Sequence, residues 1–257
     1  MHDIQNEPDN RGIAIDEVGI SGLRYPLTFD DGHTRQQGIA DISVTVALQA
    51  DRRGTHMSRM IALVHEEIAT LTPQELPLAL KRGLSLLDAP ALALTLALPL
   101  ATSVTAPASR QESWQTHDIT ISGRITPDGC TVTTAVTTDV TSLCPCSKAI
   151  SDYGAHNQRS EITLQITGSA DTPYPLPVHE IIQLLRATGS APVIPLIKRP
   201  DERVVTMQAY DHPAFVEDII RDISLICRKK GLAHTVKAKN LESIHSHDAI
   251  AALHYTY

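Results

Sequence analysis

The chain has 257 residues, enough for one large domain or two smaller ones, and 42% of them are apolar, enough for a sizeable core. A formal charge of −7 with no long basic run argues against nucleic acid or an anionic membrane as partner, although a local pocket can still be basic. Four cysteines without regular spacing make no disulfide framework, and the longest apolar stretch, residues 89–101, falls short of the roughly 20 residues that span a bilayer.

Aromatic residues are only 4% of the chain, so the core must be aliphatic. Residues 1–11 are polar and acidic and carry no signal-peptide pattern, which leads to an expected cytoplasmic location. The first strand signal is at Ile42, Val44, Val46 and Leu48, which alternate with polar or small residues. A helix follows from near Arg59, with Ile61, Val64, Ile68 and Leu71 on one stripe. It is preceded by Gly54-Thr55-His56-Met57-Ser58-Arg59, where Thr55 or Ser58 can cap and where His56 and Arg59 sit beside a helix start suited to an anion. A plain capping loop is the competing reading.

Thr72-Pro73-Gln74-Glu75 reads as a capping box opening another helix, but Pro77 argues for a kink or a later start. Leu92, Leu94, Leu96 and Leu98 alternate as a strand, residues 102–112 read as a long hairpin loop, and 116–126 pair back. The second half repeats the plan. Strand alternation occupies Val132 to Val140 and Ile162 to Ile166, helices are expected over 178–187 and 213–230, and a strand over 234–240. In the later helix Val216, Ile219, Ile220, Ile223 and Ile226 share a face, and Gly231 is the expected C′ residue. The repeated order strand, strand, helix, helix, strand gives an α+β architecture with paired helices on one face of antiparallel sheets. The modules are expected at 1–128 and 129–257. Open sheet edges favour oligomerisation.

The strongest chemical signal is Ser142-Leu143-Cys144-Pro145-Cys146-Ser147-Lys148, followed twelve residues after Cys144 by His156 within Tyr153-Gly154-Ala155-His156-Asn157-Gln158-Arg159-Ser160. Thiolate and imidazole suit a borderline-soft ion such as Zn²⁺, and a catalytic site adds a third protein ligand and leaves one position open. From the residues alone that third ligand stays open among Cys146, Glu202, Glu217, His245 and His247. Glu202 lies in Ile197-Lys198-Arg199-Pro200-Asp201-Glu202-Arg203, which reads as a charged turn. Glu217 opens a helix, where an acid also complements the helix dipole. His245 and His247 are two imidazoles on one side of an extended segment, able to move protons near neutral pH or to be ordinary surface residues. Lys148, Arg159, Lys198 and Arg199 would form a basic rim suited to phosphate, Arg by bidentate contact.

Together with Gly54-Thr55-His56-Met57-Ser58-Arg59, Lys198-Arg199-Pro200-Asp201-Glu202 and Glu242-Ser243-Ile244-His245-Ser246-His247, these strings resemble GTP cyclohydrolase I of the type IB family, in that family's order and over nearly the whole chain. The resemblance implies a tunnelling fold of two modules per chain and a homotetramer built as a dimer of dimers. It also implies the reaction of GTP with water to give formate and 7,8-dihydroneopterin triphosphate, the first step toward tetrahydrofolate. The motif match puts the metal ligands at Cys144, His156 and Glu202 and the guanine anchor at Glu217, and in such a reaction an imidazole, His245 or His247, can protonate ring nitrogen and move protons. Zn, Mn and Fe all suit such a mixed ligand set to different degrees. Competing outcomes are the archaeal-type cyclohydrolase that stops at a cyclic phosphate, a nitrile reductase of the same fold whose Cys is a nucleophile, and a non-enzymatic metal-stabilised scaffold.

Overall fold

The computed structural model describes residues 4–256, so the segment 1–11 and the outer ends of both expected modules lie partly outside the described residues. These residues divide into two compact units. The first holds residues up to 99 with 120–134 and 167–175, and the second holds 100–119, 135–166 and 176 onward.

In the first unit β1 (Ile15–Asp30) and β2 (Arg35–Leu48) form a long antiparallel hairpin. Asp31 closes its turn, accepting at Oδ1 from the N–H groups of His33 (2.9 Å) and Thr34 (2.6 Å), while Gly32 supplies a φ of +85°. β1 departs from the expectation that strands begin at Ile42. Its register shifts twice, between Ile15 and Val18 and between Ile20 and Leu23, and no residue of its first half is buried, so no alternation marks it. α1 (Met57–Leu63) runs into a π turn (Val64–Ile68) and then β3 (Thr70–Leu71), which pairs in parallel with Thr28 and Phe29 of β1. Leu71 is therefore a strand residue and not the end of the helical stripe. The N-cap of α1 is His56, with no side-chain cap bond, so neither Thr55 nor Ser58 caps it.

A 3₁₀ turn (Pro73–Glu75) leads directly into α2 (Leu76–Leu87). Pro77 sits in the first turn of α2, where its missing N–H costs no helical bond, and Thr72 makes no side-chain cap. Phe29, Ile42, Val44, Met60, Leu63, Leu80, Leu94 and Leu96 are the buried core of this unit.

Four long strands, β4 (Leu92–Thr105), β5 (Glu112–Thr126), β6 (Gly129–Leu143) and β7 (Asn157–Ser169), are each divided between the two units. β6 and β7 outrun the expected segments at both ends, β4 only at its C-terminal end and β5 only at its N-terminal end, which narrows the β4–β5 loop to residues 106–111. The second unit adds α3 (Pro145–Ile150), α4 (Val178–Thr188), β8 (Ala191–Pro192), α5 (Arg199–Asp211), α6 (Val216–Lys229), β9 (Ala233–Asn240) and β10 (Ala249–Tyr255). In hydrogen-bonded order the strands run β10-β9-β7-β6-β5-β4-β2-β1-β3, with β8 beside β6.

α6 buries Val216, Ile219, Ile220, Ile223 and Cys227, and Gly231 at φ +64° follows its C-cap Lys230 as expected. α5 corrects the reading of residues 197–203 as a charged turn. Only Asp201 and Ala209 of this helix are buried, so it offers almost no apolar stripe to read. Among the described residues no helix is long and apolar enough to cross a membrane.

Candidate active site

Two chain segments meet where β6 ends and β7 begins. Cys144 is the N-cap of α3, and its sulfur accepts from the Ser147 N–H at 3.5 Å. The Cys144 N–H donates to the His156 carbonyl at 3.0 Å, and the His156 N–H donates to Ser147 Oγ at 3.1 Å. Ser147 Oγ in turn donates to the Cys144 carbonyl at 3.3 Å. The loop between Cys144 and His156 is thus clipped shut at its base.

The two side chains line a cavity of about 220 Å³ whose wall also carries Ser142, Gln158, Ala214, Phe215, Asn240, Glu242, His245, His247 and Ala249. His156 Nδ1 lies 2.8 Å from Gln158 Oε1 and 3.9 Å from Glu242 Oε2. The His156 and His245 rings meet edge-on with centroids 6.4 Å apart, and His245 stacks on His247 at 5.1 Å. Three imidazoles therefore form a file along one wall.

Beneath them is a buried polar relay. Ser160 Oγ donates to Asn240 Oδ1 (2.6 Å), Asn240 Nδ2 donates to Ser142 Oγ (3.2 Å), and Ser142 Oγ donates to the Ala214 carbonyl (2.8 Å). It ties β7, β9 and β6 to the turn that enters α6. Glu217 is exposed on the first turn of that helix, two residues beyond the cavity-lining Phe215.

Glu202 is exposed on the first turn of α5 and is not part of the cavity wall. It shares a helical stripe with Val205 and Ala209 at spacings of three and seven. Ala209 belongs to a buried cluster with Leu143 and Ala191, and Val205 and Ala155 pack against that cluster. Leu143 and Ala155 directly precede Cys144 and His156, so α5 is seated on the roots of both. Its N-terminus is pinned by Asp201, which accepts from the N–H groups of Ala108 and Ser109 (both 2.7 Å) and of Lys198 (2.8 Å). Burial raises the Asp201 pKa, but the hydrogen bonds from Ser109, Lys198 and Ala108 outweigh it and hold the carboxyl well below the usual carboxylate range.

The residues expected as a basic rim are spread over several elements. Lys148 donates to the Tyr210 carbonyl and covers the Tyr210 ring at 4.2 Å. Arg159 alternates with Gln158 along β7, so it faces away from the cavity and lies 3.9 Å from Asp139. Lys198 and Arg199 are exposed at the start of α5. His56 and Arg59 belong to the first unit, where with Arg52 and Asp88 they line a separate cavity of about 90 Å³. Cys146 is exposed beside Cys144 and is not on the cavity wall.

Among the described residues no three His, Cys, Asp or Glu side chains converge in a ready metal cage. The donor set nonetheless fits a divalent ion: a thiol, an imidazole and the Glu242 carboxylate line one cavity. Sequence reasoning missed Ser147, Gln158, Asn240 and Glu242. The alternation of β7 puts Gln158 and Ser160 on one face, but nothing in the sequence says which face meets Cys144.

The family described as type I GTP cyclohydrolase folE2 matches residues 1–251 of this chain. The chain is 40% identical over 255 residues to GTP cyclohydrolase FolE2 of Cupriavidus necator, covering 98% of this chain and 94% of that protein. It is 41% identical over 253 residues to the FolE2 of a Janthinobacterium species (98% and 93%) and 38% identical over 255 residues to that of Neisseria gonorrhoeae (98% of each). Among solved structures it is similar to uricase from Arthrobacter globiformis, with a TM-score of 0.55 over 93% of this chain and 92% of that one. At 9% identity that likeness speaks for the fold alone, the α+β tunnelling fold with helices on one face of the sheet.

Proposed function

The chain belongs to the type I GTP cyclohydrolase folE2 family, and we infer from this that it hydrolyses GTP at purine C8, giving formate and 7,8-dihydroneopterin triphosphate for folate biosynthesis. The observation that carries the reading is the single cavity wall that unites Cys144, His156, His245 and His247. A larger open depression of about 500 Å³, lined by Glu161, Thr163, Lys237, Lys239 and Ile250 among others, holds no comparable set of nucleophilic or metal-binding groups.

In this reading Cys144, His156 and Glu202 hold one divalent ion: Zn²⁺, Mn²⁺ or Fe²⁺. Support for Glu202 is its stripe on α5, and Glu242, on the cavity wall with Cys144 and His156, is the rival carboxylate. When bound, the ion supplies Lewis acidity that lowers the pKa of water beside the purine carbon. The chain's own groups do the rest. The Glu217 carboxylate accepts hydrogen bonds from the guanine N1–H and exocyclic amine, a donor pattern that adenine lacks. His245 and His247, stacked and open to solvent, deliver and remove protons during ring opening and the later sugar rearrangement and closure.

The cavity is smaller than the roughly 300–1,000 Å³ usual for ligand pockets, and its wall carries no Lys or Arg. It suits the base and leaves the triphosphate to cations outside it, Lys198 and Arg199 together with residues of a neighbouring subunit. A homotetramer, two modules per chain at 1–128 and 129–257, and a cytoplasmic setting complete the reading. GTP supplied to metal-depleted and then metal-restored protein tests it. Formate and pterin fluorescence should appear only after restoration, and equal turnover in both would overturn the metal dependence.

A further inference from the structure

We propose that Gln158 is a positioning residue for His156. It keeps Nδ1 protonated and so leaves Nε2 as the lone-pair nitrogen. The inference rests on the reading of His156 as a metal ligand and adds the group that makes the imidazole competent for it.

The backbone of His156 is fixed by its bonds to Cys144 and Ser147, but those bonds do not orient the ring. The ring contact within hydrogen-bond distance is Nδ1 to Gln158 Oε1, at 2.8 Å, whereas Glu242 Oε2 at 3.9 Å is beyond it. An amide oxygen has no proton to give, so Nδ1 must carry one. A neutral imidazole then has its lone pair on Nε2. The opposite amide orientation would put an NH₂ against Nδ1, move the ring proton to Nε2 and block that nitrogen as a ligand. The two orientations therefore make opposite statements about His156.

Gln158 is also held where such a role needs it. It is a buried residue of β7, on the same strand face as Ser160, which is anchored in the relay through Asn240 and Ser142. A buried amide oxygen is costly without a partner, and the imidazole N–H is the partner the site offers. Outer partners of this kind fix the tautomer and direction of metal-binding imidazoles, and their loss typically weakens metal binding about 10- to 100-fold.

The test uses the full-length protein and the variants Gln158→Leu and Gln158→Glu. The Leu variant removes the acceptor at similar volume, and the Glu variant keeps an oxygen. Histidine ¹⁵N shifts of the metal-free protein report the His156 tautomer without reference to activity. Zn²⁺ affinity by chelator competition reports the consequence. The expected result is an Nδ1-protonated His156 in the parent and in Gln158→Glu, a mixed or reversed tautomer in Gln158→Leu, and a 10- to 100-fold weaker Zn²⁺ affinity in Gln158→Leu alone. An Nε2-protonated His156 in the parent overturns the proposal, as does an unchanged tautomer or affinity in Gln158→Leu when His156→Ala loses metal. Full Zn²⁺ binding by His156→Ala overturns the ligand reading instead, and the tautomer measurement keeps the two failures apart.

Discussion

The backbone N–H of Cys144 donates to the carbonyl of His156 at 3.0 Å, across a loop of eleven intervening residues. This bond makes neighbours of the thiol and the imidazole before any ligand arrives. Cys144→Ala and His156→Ala should therefore each lose the divalent ion, about one per subunit in the parent by elemental analysis. Glu202→Gln should lose it as well, and Glu242→Gln should keep it. Metal retained in Glu202→Gln and lost in Glu242→Gln would hand the third position to Glu242.

Glu217→Gln should keep the fold and the ion and lose GTP turnover. A site that hydrogen-bonds a polar edge discriminates by factors on the order of 10⁴ when a partner is removed. Glu217 is exposed on the first turn of α6, so its replacement leaves no buried gap. Near-normal kcat/KM would return it to the role of a helix-start acid.

The thiols should separate by reactivity. Cys146 is exposed and should alkylate first, while Cys227 is buried and its pKa is pushed up to about 11 by that burial, so it should stay silent in the folded protein. Cys144 should be protected while the ion is bound and react after chelation. Mass mapping with and without chelator reads this, and protection at Cys146 in place of Cys144 would reverse the assignment of the two.

His117 is buried in β5, with Thr102 Oγ1 2.9 Å from Nε2 and Thr138 Oγ1 2.7 Å from Nδ1. Burial, with the Arg186 charge as the smaller cause, pushes its pKa down to about 4 from 6.5. Between these values the unfolded chain binds a proton that the folded one does not, so stability must fall as pH drops from about 6.5 to about 4. Denaturant melts across that range should show the loss, and it should shrink in His117→Gln. An identical pH slope in the variant would place the effect elsewhere.

Much of the fold was legible because apolar alternation survives in β2, β4, β6 and β7 and a strong stripe marks α6. β1 was not, because bulges and a first half with no buried residue erase its period. α5 was not, because it buries only Asp201 and Ala209. The same physics limits the site. Cys144 and His156 stood out by residue type, and the string around them carried the resemblance. Gln158, Ser147 and Asn240 are common polar residues whose roles arise only when β6, β7 and β9 lie side by side. Of the residues expected as a basic rim, strand alternation turns Arg159 to the other face of β7 and Tyr210 engages Lys148, which the sequence pattern does not reveal.

The central claim is that this cavity opens the purine ring at C8. GTP labelled with ¹³C at C8, followed by NMR with the metal-loaded parent and with His156→Ala, tests it directly. The parent should convert the label to ¹³C-formate alongside an unlabelled pterin triphosphate, and His156→Ala should not. A parent that releases no labelled formate, or a His156→Ala protein that releases it at the parent's rate, would contradict the account.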